Sequence, residues 1–259
     1  MRHRRAFLIW AAVVLILSVA GWAFFYFDMD YSTVAAGETE GVRIPVLMYH
    51  SVSEKPLELA ELSVRPSELE KQVKYLCENG FTTITFEDLP DIDDMEKPVM
   101  LTFDDGYADN YTDLFPILKK YGAKATVFVI PRLIGKKGQM TAAQIKEMSD
   151  SGLVSIQSHS YSHKHLLFAS EEDIEYEFSA AVGFIESITG RPVIALAYPN
   201  GECNDTILNA ASKYYDYAVV KRKGYFTPDS PVCNIRRIRI SRSTTLWRFA
   251  RLVSLAGRD

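Results

Sequence analysis

The chain of 259 residues has little cysteine: Cys77, Cys203 and Cys233 are all there is. Three thiols form at most one disulfide, which excludes a disulfide-held scaffold even in an oxidising compartment. An excess of positive charge is also missing. Lysine plus arginine total 29 against 33 acids, a net charge of −4, so the basic surplus of a nucleic-acid binder is absent. No glycine-rich phosphate loop follows any apolar run, which sets nucleotide-binding readings aside. There is no internal repeat and no low-complexity tract. With 47% apolar and 24% charged residues, the bulk composition is that of an ordinary globular chain rather than a disordered one. Histidine is scarce too, five in all, so its placement carries information.

Long hydrophobic runs are missing with one exception. Ala6 to Phe27 is 22 residues without a charge. As a helix rising ~1.5 Å per residue it would span about 33 Å, enough for a hydrocarbon core of ~30 Å. Arg2, Arg4 and Arg5 precede it, and Asp28, Asp30, Glu38 and Glu40 follow. That asymmetry puts the N-terminus in the cytoplasm and the rest outside. Trp22, Phe24, Phe25, Tyr26 and Phe27 crowd the outer end as an interfacial aromatic belt would. The other reading is a cleaved signal peptide, whose apolar core is usually only ~7–15 residues. A small-residue cleavage site can be drawn after Ala20 or Ala36. Either reading exports the remainder. The expected organisation is a basic tail over 1–5, a transmembrane anchor over 6–27, a polar linker over 28–43 and one folded domain over 44–259.

In that domain, short apolar runs alternate with helical patterns. Strands are expected at 44–49, 82–86, 99–103, 125–130, 154–157, 193–197, 217–220 and 235–240. Helices are expected at 66–79, 110–121, 141–151, 170–189, 205–214 and 246–255. The first helix carries Leu69, Val73, Leu76 and Cys77 on one face. Ser170 opens the fourth with Asp173 three residues on, a capping box. Strand-helix alternation repeated this often argues a parallel α/β architecture, open sheet or barrel. In parallel barrels chemistry gathers at the carboxyl ends of strands.

Three motifs sit at such ends. Asp104 and Asp105 close the strand ending at Phe103, and Gly106 follows. Neighbouring residues on a strand point to opposite faces, so both carboxylates can serve one site only if the chain turns there. A bare Asp-Asp-Gly is also what an ordinary turn looks like. His159 and His163 follow the 154–157 strand. Two histidines four apart share one side of a helical turn, where both imidazoles can bind one ion. Surface histidines with no ligand are the plainer reading of that pair, and His165 is the bystander. One carboxylate with His-x-x-x-His completes a three-ligand site with a position open for water, as in catalytic zinc centres. The second carboxylate is left as a base on that water, an apparatus suited to amide or ester hydrolysis. Tyr198-Pro199-Asn200-Gly201 comes after the 193–197 strand, where a backbone N–H could stabilise an oxyanion.

Thr-Phe-Asp-Asp-Gly at 102–106, Ser-His-Ser-x-x-His at 158–163 and Ala-Tyr-Pro-x-Gly at 197–201 together resemble the NodB-type polysaccharide deacetylases, carbohydrate esterase family four. The resemblance runs from about Ile44 to the C-terminus. Pro45 to Ser51 resembles the opening strand of the subgroup that includes poly-N-acetylglucosamine deacetylases. The resemblance implies a distorted, incomplete (β/α) barrel with a divalent metal at the strand ends. It implies Asp104 as catalytic base and Asp105, His159 and His163 as metal ligands. It implies attack of a metal-held water on the acetyl carbonyl, with the Tyr198 N–H as oxyanion donor and Pro199 and Asn200 in the substrate-binding turn. Zinc suits a His-His-Asp set, and cobalt, manganese or nickel fit similar ligands.

The departures from the family pattern are informative. Many members have an arginine where Ala197 stands, orienting the catalytic aspartate. Arg237 is the candidate substitute; the other reading of 235–240 is a solvated arginine face on an edge strand. Many members also have a late histidine as general acid. None follows His165 here, so His50, ending the first strand, is the candidate. Lys164 stands where proline is usual. Tyr215-Asp216-Tyr217 matches the family's late groove motif poorly.

The expected activity is metal-dependent removal of N-acetyl groups from an extracytoplasmic polysaccharide: peptidoglycan, poly-N-acetylglucosamine or a chitin-like polymer. An O-acetyl polysaccharide esterase would use the same site. A non-catalytic carbohydrate-binding wall protein would usually have lost the base or a ligand. The near-neutral net charge suits a largely uncharged glycan. The expected partners are the acetylated polysaccharide and, through the N-terminal helix, the membrane, with no nucleic acid.

Overall fold

The computed structural model describes residues 42–55 and 59–255. The anchor expected over 6–27 lies outside them, as does all but the last two residues of the linker. Val42 is already buried, and Ile44 bridges to Phe226. The folded part therefore starts two residues before the boundary expected at 44. Among the described residues no helix is long and apolar enough to cross a membrane.

One parallel sheet organises the domain. Its strands are β1 (Val46–Tyr49), β4 (Thr82–Ile84), β5 (Pro98–Phe103), β6 (Ala125–Val129), β7 (Val154–Ser158), β8 (Ala195–Ala197), β9 (Tyr217–Val219) and β10 (Ile238–Arg239). Two short strands, β2 (Ser51–Val52) and β3 (Ser63–Val64), pair separately. The order is β10-β1-β5-β6-β7-β8-β9, with β4 pairing along the first half of β5. The sequences of β5 and β6, PVMLTF and ATVFV, are buried at every residue. Parallel strands covered on both faces read as such unbroken apolar runs.

The two ends of this order meet through one segment. Ile235 bridges in parallel to Val219 of β9. Three residues on, Ile238 and Arg239 pair in parallel with Leu47 and Met48 of β1. The result fits the expected distorted, incomplete barrel. A buried cluster gathers side chains from around it, among them Val46, Met100, Phe128, Ala195, Val219 and Ile235. Phe86 joins them, its ring 6.0 Å from Phe128 and 5.6 Å from Tyr217.

The helices are α1 (Pro66–Glu78), α2 (Phe115–Tyr121), α3 (Ala142–Asp150), α4 (Glu171–Thr189), α5 (Asp205–Ala211) and α6 (Leu246–Val253). They match the expected elements, with four local corrections. Cys77 is exposed instead of sharing the buried face of Leu69, Val73 and Leu76, where Gln72 sits instead. Residues 110–114 form a π turn before α2 begins. Ser170 caps α4 as expected by accepting from the Asp173 N–H, whereas the helix expected over 205–214 stops at Ala211. The final helix stops at Val253. All three cysteines are free thiols.

Candidate active site

The Asp104 N–H donates to Tyr49 O at 3.0 Å, so the β1–β5 ladder continues one residue past Phe103. The chain then turns sharply. Asp105 has φ +73° and Gly106 φ +69°. Aspartate tolerates the left-handed region better than most residues with a side chain, because its short polar group bonds locally. The turn expected at Gly106 thus begins at Asp105 itself, and both carboxylates face one pocket.

His159 and His163 also share that pocket, though not on a helical turn as the four-residue spacing suggested. Residues 159–165 are irregular, and left-handed conformations at Ser160 (φ +57°) and His163 (φ +60°) fold the loop back. The ring centroids lie 4.7 Å apart, nearly perpendicular. The Ser160 hydroxyl accepts from the His163 N–H at 3.1 Å. Glu177 of α4, almost fully buried, accepts from the Ser162 N–H at 2.8 Å and from the Ser162 hydroxyl. This glutamate went unnoticed in the sequence. Its signal was a carboxylate on the apolar face of a helix, beside Ile174, Phe178 and Ala181.

His159 Nδ1 lies 2.7 Å from Ala197 O. A carbonyl only accepts, so Nδ1 carries the proton and Nε2 offers its lone pair to the pocket. That Nε2 is 3.5 Å from Asp105 Oδ1. Burial, with the neighbouring His159 adding to it, lowers the His163 pKa, which keeps its imidazole neutral and able to ligate. Ligand atoms of Asp105, His159 and His163 all lie within 4.8 Å of one another. Two imidazoles and a carboxylate at that spacing fit a divalent cation.

Arg237, wholly buried, reaches Asp104 with a two-pronged ion pair: Nη1 to Oδ1 at 2.7 Å and Nη2 to Oδ2 at 2.8 Å. Its Nη1 also donates to Thr102 Oγ1 at 3.2 Å, and its Nε to Val220 O at 3.3 Å. The position is not on a solvated arginine face. Burial by itself would raise the Asp104 pKa, but the Arg237 guanidinium outweighs it and holds the carboxyl well below the usual range. His50 Nε2 stands 4.0 Å from Asp104 Oδ2. Burial lowers the His50 pKa despite the nearby aspartates. The loop that carries it is pinned by the π turn. Asn110 Nδ2 donates to His50 O at 3.0 Å, and Asp109 accepts from the Ser51 hydroxyl at 2.6 Å and the Val52 N–H at 3.0 Å.

The Tyr198 turn requires a correction. The Tyr198 N–H donates to Val219 O at 3.2 Å, so the expected oxyanion donor is committed to the sheet. Its side chain is buried, with the hydroxyl on Cys233 O. Pro199 has no N–H, and the Gly201 N–H donates to Tyr198 O at 2.8 Å. The donor this turn leaves over is the Asn200 N–H, on an exposed residue with φ +62°.

Of the residues expected at the site, His50, Asp104, Asp105, His159, His163, Tyr198, Asn200 and Arg237 line one cavity of about 360 Å³, and the buried Pro199 does not. Leu59 and Leu62 add apolar wall, and Lys221 and Arg239 also line it. The arrangement combines a paired carboxylate base, a three-donor metal set, an imidazole and a backbone donor, which is machinery for hydrolysing a carbonyl compound.

The polysaccharide deacetylase family model matches residues 91–219. YxkH of Bacillus subtilis, assigned to the polysaccharide deacetylases, is 36% identical over 205 residues, covering 77% of this chain and 72% of that protein. The Streptococcus pyogenes deacetylase PplD, solved in complex with acetate, aligns with a TM-score of 0.78 at 31% identity, over 83% of this chain and 99% of that one. The poly-β-1,6-N-acetyl-D-glucosamine N-deacetylase of Staphylococcus epidermidis is 26% identical over 225 residues, 75% of this chain and 78% of that protein.

Proposed function

The chain belongs to the polysaccharide deacetylase family and is a polysaccharide N-deacetylase; from that premise we propose that it removes N-acetyl groups from N-acetylhexosamine units of a polymer outside the cytoplasm. The observation that carries the reading is the Asp104–Arg237 pair opening onto the same cavity as Asp105, His159 and His163.

Asp105, His159 and His163 would hold a divalent cation, zinc being the first choice for that donor set. Such a cation, when bound, supplies Lewis acidity toward a carbonyl oxygen and a water. Asp104 takes the proton of the attacking water. Arg237 keeps that carboxylate ionised and aimed. The Asn200 N–H donates to the oxygen that gains charge as the carbonyl is attacked. His50, within reach of Asp104, passes a proton to the departing nitrogen, so the amide C–N bond breaks to acetate and a free amine. Burial lowers the His50 pKa, so the proton it delivers to the departing nitrogen is the one Asp104 takes from the water. The poly-N-acetylglucosamine deacetylase relative supports an amide rather than an ester substrate.

The charge-free run at 6–27 and the arginines before it support a location on the outer face of a membrane. A mature N-terminus near Gly37, read by mass spectrometry, would replace the anchor with a cleaved signal.

The test of the reaction is acetate release from N-acetylated glycans. Asp104→Asn should lower turnover by about 10²–10⁴-fold, the range of general acid–base assistance. Near-normal turnover in that variant would overturn the assignment.

A further inference from the structure

Positive charge is not spread evenly along the chain. Between Lys221 and Arg242 there are seven lysines and arginines and one acid, Asp229, although the whole chain is at −4. Arg237 is spent on Asp104, and Arg242 holds the 53–54 loop through Ser53 O and Glu54 O. Lys221 and Arg239 are different. Both line the active-site cavity, and both are exposed. Among the described residues Lys221 has no carboxylate within ion-pair distance, and Arg239 reaches only Glu61 O, at 3.4 Å. Several surface lysines are matched by acids, Lys71 with Glu68, Lys120 with Glu70, Lys146 with Asp150 and Lys213 with Glu175, while others such as Lys136 and Lys137 are not; what sets Lys221 and Arg239 apart is that they line the active-site cavity.

Their places are set by backbone. Lys221 follows β9 and packs on the Asn200 turn, where its N–H donates to Gly201 O at 3.2 Å. Arg239 sits in β10 beside Met48 of β1, in line with the β1 end that carries His50. Arg237 lies two residues before it, its N–H donating to Arg222 O, so the two exposed cations flank the buried one. Of the two carboxylates lining the cavity, Asp104 is already neutralised by Arg237, and Asp105 belongs to the three-donor metal set. Two unmatched like charges at one cavity repel each other, and an incoming anion relieves both.

We infer that the polymer this site deacetylates is anionic, carrying a carboxylate or phosphate substituent near the acetylated sugar, and that Lys221 and Arg239 select for it. The inference rests on the deacetylase reading and narrows its substrate. It revises the uncharged glycan suggested by net charge, because the charge that matters is local. It also has a consequence for the product. Deacetylation turns a neutral acetamide into an amine that protonates, and the same rim repels an amine-bearing sugar with no anion beside it. A neutral polymer would therefore become a poorer substrate with each group removed.

Three N-acetylglucosamine oligomers of equal length provide the test: one unsubstituted, one with carboxylates, one with phosphates. At low ionic strength kcat/KM for at least one anionic oligomer should exceed the neutral one by about tenfold or more. The advantage should vanish near 1 M salt, where the screening length falls to about 3 Å. The double variant Lys221→Gln, Arg239→Gln should bring the ratio to within about twofold of unity. The two anionic arms separate carboxylate from phosphate. In parallel, binding of an oligouronate and a phosphorylated oligosaccharide, both without N-acetyl groups, should weaken about tenfold in the double variant for the preferred anion. Equal rates on all three oligomers, insensitive to salt, would overturn the inference and leave deacetylation standing. No acetate from any oligomer would overturn the reaction, and the binding arm alone would then decide the rim.

Discussion

The two halves of the sheet are built differently. From β1 through β7 two ladders are long, four register pairs joining β1 to β5 and five joining β6 to β7, while the β5–β6 ladder between them has two. From β7 onward they are short. One pair joins β7 to β8, three join β8 to β9, and two join β1 to β10. The first half presents Asp104, Asp105, His159 and His163. The second presents Arg237, the Asn200 turn, Lys221 and Arg239. The groups proposed to hold a cation sit on the regular half. Those proposed to orient the base, donate from backbone or recognise substituents sit on the irregular one. Short strands with loop-like ends can place an arginine or a peptide N–H where a straight ladder could not.

That contrast can be broken at Arg237, where the irregular half reaches into the regular one. Arg237→Ala leaves a buried carboxylate without its partner and should destabilise the fold by about 3–5 kcal/mol, read as a lower urea midpoint. Arg237→Lys keeps the charge but not the two-pronged geometry, and should recover stability better than turnover. Stability unchanged in Arg237→Ala would mean the two halves are not coupled through this pair.

Two glycines sharpen the comparison further, because their backbone angles match. Gly106 and Gly201 both have φ +69°. A methyl group at Gly106 would stand 3.1 Å from Val129 Cγ1, a side chain that can shift. At Gly201 it would stand 2.2 Å from Lys221 Cβ and 2.7 Å from Lys221 N, which is backbone. Gly201→Ala should cost about 3 kcal/mol and Gly106→Ala about 1–2 kcal/mol, both measured by denaturant melts. The reverse order would mean the second half yields more easily than its packing indicates. At the small end, Lys146→Ala removes an exposed pair with Asp150 on α3 and should change stability by no more than about 0.5 kcal/mol.

The same division governs what the sequence made legible. The regular half was readable because its signals are local. Unbroken apolar runs marked β5 and β6, and Asp104-Asp105 and the histidine pair came directly after strands. Even there the mechanism of approach was misread: a four-residue spacing suggested a helical turn, whereas Ser160 and His163 in left-handed conformations fold a loop. The second half depends on partners far along the chain. The alternating arginines at 235–240 suggested Arg237 for Asp104, but only the fold separates that role from a solvated face. The Tyr198 N–H could not be known to face Val219 O before β8 was set against β9. Lys221 and Arg239, eighteen residues apart in a run of cations, gain meaning only from the cavity they share.

The segment that touches both edges of the sheet also orders events during synthesis. Asp104 meets its guanidinium across 133 residues of chain, and Ile235 and Ile238 join β9 to β1 only when the last tenth of the polypeptide is available. Contacts so distant in sequence form late, since the intervening loop must close first. Until residue 237 is in place, Asp104 has no guanidinium partner, and the barrel lacks the segment that touches both edges of its sheet. The proposed base is therefore among the last parts of the site to be completed.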